Sequence, residues 1–321
     1  SIAYELNLSI NTVSRALRDC DDISEATKEK VRQKAYELGY IPNNISQFIK
    51  RDGKKLITVV VNSFKNSYFS IVCEKLVHII SEFNYDFALV YSQKSKLDLD
   101  ILKQCISQRV DGIITLLEPE DDVIDTARLN NIPLVMLGRN VDKDYIDLVY
   151  TDDKLGGQLA AYYLINFHHL DKFVYIKLAN AECSRRRFDA FQKAVKELNS
   201  DAEIAVINQN QLNILFNSDF DDIAESELSE DRINDELAYE ALKILNKEIP
   251  NVRKVLPRLH IVGYDCISTR INGFTDLTSI DFDYDEICHT AVKFLLNRFE
   301  NIKLEQQKIV FTVKLHQRKY I

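Results

Sequence analysis

Two groups of residues in this chain have types and spacings suited to chemistry. The first is Asn11, Ser14, Arg15 and Arg18. On a helix these four fall within roughly 100° of one another. Asn and Arg carry the paired donors and acceptors that match base edges in the major groove of DNA. Ser9, just ahead of them, suits the N-cap of that helix, and its free amides suit a phosphate. The second group is Asp152, Arg187, Asn234 and Asp265, each beside an apolar run or a helix start. Carboxylates combined with a fork-shaped Arg suit a polyol, because each oxygen can accept from hydroxyls while Arg donates to others. The plainer readings are a solvated helix face for the first group and helix caps or strand ends for the second.

Catalytic constellations are harder to find. There is no P-loop and no dinucleotide-binding glycine motif. Gly156-Gly157 falls at a helix start, where packing is the simpler role. His168-His169 falls between a helix and a strand, with no nucleophile or carboxylate partner to select. The expectation is a non-enzyme with no cofactor and no metal site. The six cysteines, Cys20, Cys73, Cys105, Cys183, Cys266 and Cys288, are scattered without metal-finger spacing. They read as reduced thiols of a cytosolic protein.

The elements that position the first group are short. Ile2 to Leu6 forms one helix and Asn7-Leu8 a turn. A second helix runs from the Ser9 cap to about Arg18, with Val13, Leu17, Ile10 and Ala16 expected to be buried. A third starts at Ser24 and carries Val31, Ala35 and Leu38 at helical spacing, with Gly39 as its C′ residue. After Pro42, Asn43 to Lys50 reads as one short helix with Ile45, Phe48 and Ile49 apolar, followed by the linker Arg51 to Lys55. Some eight residues do not hold a helix in water. The stretch is either a linker or a helix that forms only against a partner.

From Leu56 the pattern changes to apolar runs alternating with amphipathic helices. The runs are 56–61, 87–91, 110–117 and 133–138, then 173–178, 203–207 and 259–264. Helices are expected near 68–83, 98–108, 120–130, 154–167, 185–198, 235–247 and 283–299. Fully apolar strands between helices imply parallel sheets covered on both faces. Two such series predict two doubly wound α/β lobes with a cleft between them. The acidic stretch 208–233 has no clean period and reads as a loop with a short helix.

Charge separates the same two parts. The chain of 321 residues carries a net charge of −8, yet residues 1–55 hold ten Lys/Arg against eight Asp/Glu. A slightly basic head thus precedes an acidic body, which fits a nucleic-acid partner for the head. No apolar run of about 18 residues exists to span a membrane. No signal peptide is visible, and the start at Ser1 rather than Met predicts that a few residues are missing.

Taken with Ile2-Ala3, Leu8-Ser9, Thr12-Val13-Ser14-Arg15, Thr27 to Val31 and "ELGYIPN" (37–43), the opening segment resembles the lac repressor family of bacterial transcription regulators. The resemblance continues in "VDGII" (110–114), "IPLVMLGR" (132–139), "DDKLGG" (152–157), "VGYD" (262–265) and "LTSI" (277–280). It implies an all-α helix-turn-helix headpiece (1–42), a hinge helix and linker (43–55) and an α/β body (56–321) like a periplasmic-binding-protein fold. Its near lobe would comprise about 56–151 and 279–303, and its far lobe about 152–278 and 304–321. Ser9, Ile10, Asn11, Thr12, Ser14, Arg15 and Arg18 would meet palindromic operator DNA. So would the hinge residues Asn43, Ser46, Gln47, Ile49 and Lys50, with Ile49 as a minor-groove wedge. Tyr68, Phe69, Asp152, Arg187, Asn234 and Asp265 would line the effector pocket, a sugar being the expected ligand. A homodimer is implied; no leucine heptads follow the last strand, so the tetramer-forming tail of one branch is not expected. Repression is the outcome the resemblance favours, controlled by effector binding between the lobes.

Three departures weigh on the far-lobe half of that pocket. Arg187 is followed by "FDAF", with Ala190 where the family commonly has Gly. Acidic "SELSEDRI" stands where a strand is expected before Asn234-Asp235, and Asp265-Cys266 replaces a pair of aspartates. A regulator with a degenerate pocket, controlled by a protein partner or not at all, is therefore the alternative. A sugar-binding protein or enzyme on the same body ranks below it.

Overall fold

The computed structural model describes residues 2–17, 20–37, 55–64, 66–177, 182–208, 235, 238, 239, 241, 260–267 and 277–318. These fall into two compact units, residues 1–55 and 56–321. Leu38 and Gly39, the hinge stretch 43–50, and the acidic stretch from 209 lie outside the described residues.

The described residues of the first unit form three helices: α1 (Ile2–Glu5), α2 (Ile10–Leu17) and α3 (Glu25–Glu37). Ser9 caps α2 as its residue type demands, its Oγ accepting from Thr12 N at 3.0 Å. Ser24 repeats the device at α3, with Thr27 N at 3.4 Å. Ile2, Val13, Ala16, Val31 and Ala35 make the core, with Leu6, Leu8 and Leu17 packed on its margin. Ile10 corrects the sequence expectation. It shares a wheel face with Val13, yet it is 80% exposed. It is the first residue of an eight-residue helix, in a turn that α1 and α3 leave uncovered.

The second unit holds a six-stranded, wholly parallel sheet ordered β12-β7-β6-β4-β1-β2. Its strands are β1 (Leu56–Val61), β2 (Asp86–Tyr91), β4 (Gly112–Thr115), β6 (Leu134–Leu137), β7 (Asp147–Thr151) and β12 (Lys308–Phe311). β1, β4 and β6 are buried along their whole length, which is why they read as unbroken apolar runs. Helices α4 (Ser67–Glu82), α5 (Leu99–Ser107), α6 (Asp121–Leu129) and α9 (Tyr284–Glu300) accompany this sheet, and a short pair, β3 (Lys96–Leu97) and β5 (Glu118–Pro119), flanks it. The strand order reverses between β1 and β4, and such a switch point opens a crevice at the strands' carboxyl ends.

Beyond β7 come α7 (Asp153–Tyr162), a π-helical turn (Tyr163–Phe167), β8 (Lys172–Lys177), α8 (Glu182–Leu198) and β9 (Glu203–Asn208), with β8 and β9 parallel. A three-stranded sheet is ordered β10-β11-β13, from β10 (Val262–Tyr264), β11 (Thr278–Asp281) and β13 (Lys314–His316). These pairings differ from the expected lobe limits. Residues 278–281 belong with β10 and β13, not with the first sheet, and 308–311 belong with β7, not with the second. The chain therefore crosses after Asp281 and returns after Phe311. The apolar run "LTSI" completes one sheet before the crossing rather than starting it.

α7 and α8 pack so closely that a Cβ on Gly157 would lie 2.2 Å from Arg187 O, and one on Gly156 2.7 Å from the Tyr264 ring. That pair of glycines serves packing, and it brings Arg187 and Tyr264 against α7.

Candidate functional site

The carboxyl ends of β1, β4, β6 and β7 face the ends of β10 and β11 across a half-open cleft of about 60 Å³. It is lined by Asn66, Tyr68 and Phe69 after β1, Leu116 after β4, Gly138 and Arg139 after β6, and Thr151 at the end of β7. Cys183 and Arg187 of α8, Asp265 and Phe282 complete it. The fold thus brings together Tyr68, Phe69, Arg187 and Asp265. Asn234 is outside the described residues.

Asp152 is placed differently from the expectation. It caps α7, its Oδ1 accepting from Leu155 N at 3.0 Å, and it does not line the cleft. A carboxylate at a strand-to-helix turn is drawn to the helix's free amides. The next residue takes the polar part: buried Asp153 accepts from Arg187 Nε at 2.8 Å. The Arg187 guanidinium lies 3.4 Å over the Tyr264 ring, so it is clamped by an ion pair on its edge and an aromatic face beneath. Burial opposes its charge, but Tyr264, Asp153 and Asp265 outweigh burial and hold its pKa well above the usual range. Its two amino groups have no protein acceptor among the described residues.

Asp265 is presented by a strained turn. Its φ is +82° and that of Cys266 is +49°, a region costly for side chains with a Cβ and common at ligand sites. The surroundings hold it there. Asp265 N donates to Ile280 O (2.9 Å), and Tyr284 Oη donates to Asp265 O (3.0 Å). Cys266 N donates to Ser279 Oγ (3.0 Å) and Ile267 N to Asp235 Oδ2 (2.8 Å). Ser279 Oγ in turn donates to Asp235 Oδ1 at 2.6 Å. Asp235 is fully buried. Sequence reasoning singled out its neighbour and left Asp235 aside, because a helix-start acid looks like a cap.

Tyr68 sits on the opposite wall, against Phe282 and Tyr284. Burial, with Asp265 nearby, pushes its phenol pKa up, so it stays a hydrogen-bond donor. Gly138, at φ +88°, is required here: a Cβ would stand 2.5 Å from Tyr68 Oη. Arg139 and Thr151 were not singled out from sequence. Their signal was position, directly after β6 and at the end of β7, where this class of sheet binds ligands.

In the helical unit, Asn11 is exposed and Thr12, Ser14 and Arg15 are half-buried. Arg15 is paired with Asp22 of the loop before α3, Nη2 to Oδ2 at 2.7 Å and Nε to Oδ1 at 3.3 Å. The hydrogen bond with Asp22 raises the Arg15 pKa and lowers that of Asp22. Arg18, Asn43, Ser46, Gln47, Ile49 and Lys50 lie outside the described residues.

Comparison with known proteins places this architecture. Residues 1–43 match the model for bacterial regulatory proteins of the lacI family. Residues 54–212 match the model for periplasmic binding proteins and the sugar binding domain of the LacI family. The Sucrose operon repressor of Pediococcus pentosaceus is 27% identical over 327 residues, covering 98% of this chain and 96% of that protein. A Bacillus subtilis protein named "Probable HTH-type transcriptional repressor ExuR" is 30% identical over 200 residues, or 60% of this chain. The match spans 59% of that relative, and 60% of a Pasteurella multocida repressor named PurR. A LacI family regulator from Enterococcus faecium, solved with bound ribose, has a TM-score of 0.65 at 24% identity, covering 82% of this chain and 97% of that one. These relatives carry the names of regulators, in accord with the expectation that the chain is not an enzyme. With its helical head, its α/β body and both family models matched in sequence order, the chain belongs to the lacI family of bacterial regulatory proteins.

Proposed function

We propose that this chain is a transcriptional repressor that binds operator DNA through α2 and is controlled by a sugar held in the cleft of its body. The observation that carries the reading is the cleft itself. It sits at a topological switch point, with aromatic Tyr68, Phe69 and Phe282 beside Arg139, Arg187 and Asp265, and with the Arg187 amino groups unclaimed by protein among the described residues. Aromatic walls with a few convergent polar groups suit a hydroxylated ring. Relatives named for sucrose and ribose operons, and a neighbour solved with ribose, support the same class.

In this reading Asn11, Ser14 and Arg15 face base edges, Ile10 contacts the groove wall and the Ser9 end of α2 meets phosphate. Arg15 exchanges Asp22 for DNA, since an exposed pair is cheap to part. Two copies form a homodimer on a palindrome, because one helix-turn-helix reads one half-site. Effector binding favours one arrangement of the lobes and shifts the DNA-competent population.

The size of the cleft supports a second reading. With about 60 Å³ of room the cleft is narrow, and in the first reading the lobes part to admit a sugar. A body that does not open would answer to a protein partner instead. Fluorescence anisotropy on a palindromic operator library, repeated with a sugar panel, tests both. Salt-dependent specific binding that one sugar alters is the expected result. Binding that no sugar alters favours the second reading, and no specific binding at all removes both.

A further inference from the structure

We propose that Cys266, Asp281 and His316 form a binding site for a divalent transition-metal ion of the zinc class. The thiol sulfur, one carboxylate oxygen and one imidazole nitrogen lie within 4.8 Å of one another. Nothing in their sequence spacing announces this; sheet pairing creates it. Ser279 pairs with His316 and Asp281 with Lys314 across the antiparallel β11–β13 pair. Alternation along a strand then puts Asp281 and His316 on one face. Cys266 reaches the same face because its amide is held by Ser279 Oγ at 3.0 Å.

The donor set selects the metal. Sulfur, nitrogen and oxygen together suit zinc or cobalt, whereas calcium and magnesium take oxygen donors. Zinc bonds of about 2.0–2.3 Å place tetrahedral ligand atoms roughly 3.5 Å apart, so the trio closes on an ion by moving about an ångström. Cys266 and Asp281 are buried and His316 is half-buried. The site is therefore walled on the protein side and open toward His316, where water completes the coordination. A divalent ion would compete with the partners Asp281 already has, among them Phe282 N, which donates to its Oδ1 at 2.9 Å, and largely exposed Lys314, 3.9 Å from Oδ2. Among the described residues no other three His, Cys, Asp or Glu side chains converge in this way.

An ion here would tie β10, β11 and β13 together behind the strained turn, and the proposal stands whether or not the cleft binds a sugar. Binding must release the Cys266 proton, so affinity rises with pH. The test is a titration of the reduced full chain with Co²⁺, followed by absorption. The expected result is a thiolate-to-cobalt charge-transfer band with strong tetrahedral visible bands, saturating at one equivalent and abolished by excess Zn²⁺. Cys266→Ser should remove the charge-transfer band, and His316→Gln should weaken cobalt binding at least about tenfold. Circular dichroism confirms that each variant is folded. If Cys266→Ser does not fold, His316→Gln decides alone, since its side chain is half-exposed. Absence of the band in the parent chain at millimolar Co²⁺, its survival in Cys266→Ser, or unchanged affinity in His316→Gln overturns the proposal.

Discussion

Arg298 and Arg187 each hold a buried carboxylate within the body, Asp147 at 2.7 and 2.8 Å and Asp153 at 2.8 Å. They differ in what is left over. Arg298 also donates to the carbonyls of Ile302, Leu304 and Glu305, which uses all five of its N–H groups. Asp147 likewise accepts from Gln307 N and Nε2 besides Arg298. That pair is closed on itself, and it fastens α9 and the segment before β12 onto β7. Among the described residues Arg187 commits Nε alone and rests its face on Tyr264. The same chemistry makes a structural bolt when every donor is spent, and a binding group when donors remain beside a cleft.

The comparison breaks most visibly at the bolt. Arg298→Met strands the buried Asp147 carboxylate and should cost about 3–5 kcal/mol in urea unfolding. Adding Asp147→Leu should restore most of that loss, because removing both charges also removes the desolvation penalty. A single variant as stable as the parent would mean that the pair does not hold α9. At the cleft the outcome should invert. Arg187→Lys keeps a charge beside Asp153 but loses the fork and the stacked plane. Sugar affinity should fall about 10- to 100-fold, the loss of a charged hydrogen bond or two, while unfolding shifts by less than about 1 kcal/mol. Unchanged affinity with lost stability would make Arg187 a second bolt.

The two pairs were not equally legible in the sequence. The resemblance and the strand-end rule singled out Arg187. Its partner was missed by one residue: helix capping claims Asp152, and only the packing of α7 on α8 turns Asp153 toward Arg187. Asp147 was not legible at all, because "DKDYID" before "LVYT" reads as a charged loop, whereas its last residue is buried and opens β7. The central strands were plain because burial on both faces writes them as apolar runs. The crossing points were displaced because β11 and β12 are four residues each, and sheet membership at that length is set by partners far away in the chain. Asp235 and Ser279 stayed hidden for the same reason: their value lies in holding a turn that sequence does not show as strained.

That turn gives the next smaller test. Ser279 does not line the cleft, yet its hydroxyl joins Asp235 to Cys266 N. Ser279→Ala removes the hydroxyl that accepts from Cys266 N and donates to Asp235 Oδ1 inside the buried network, at about 1–2 kcal/mol. Sugar affinity should fall with it, although no contacting side chain has changed. Equal affinity in the two proteins would show that the left-handed turn keeps its shape without the network.

The smallest effect is expected at the third pair, Arg15 with Asp22, whose side chains are 44% and 52% exposed. Solvent screens such a pair, so Asp22→Asn should leave the melting of the helical unit essentially unchanged. The pair's small contribution is present above the usual Asp pKa and fades as pH falls through the lowered value in the folded chain, so the variant should also flatten that part of the pH profile. DNA is the informative readout. If Arg15 must leave Asp22 to reach a base, Asp22→Asn removes an internal competitor and a negative charge near phosphate. Operator affinity should then rise a few-fold at low salt, with the gain shrinking as ionic strength increases. A fall in affinity would mean instead that Asp22 aims Arg15 at the DNA, and that the exposed pair, like the one at the cleft, orients a donor rather than occupying it.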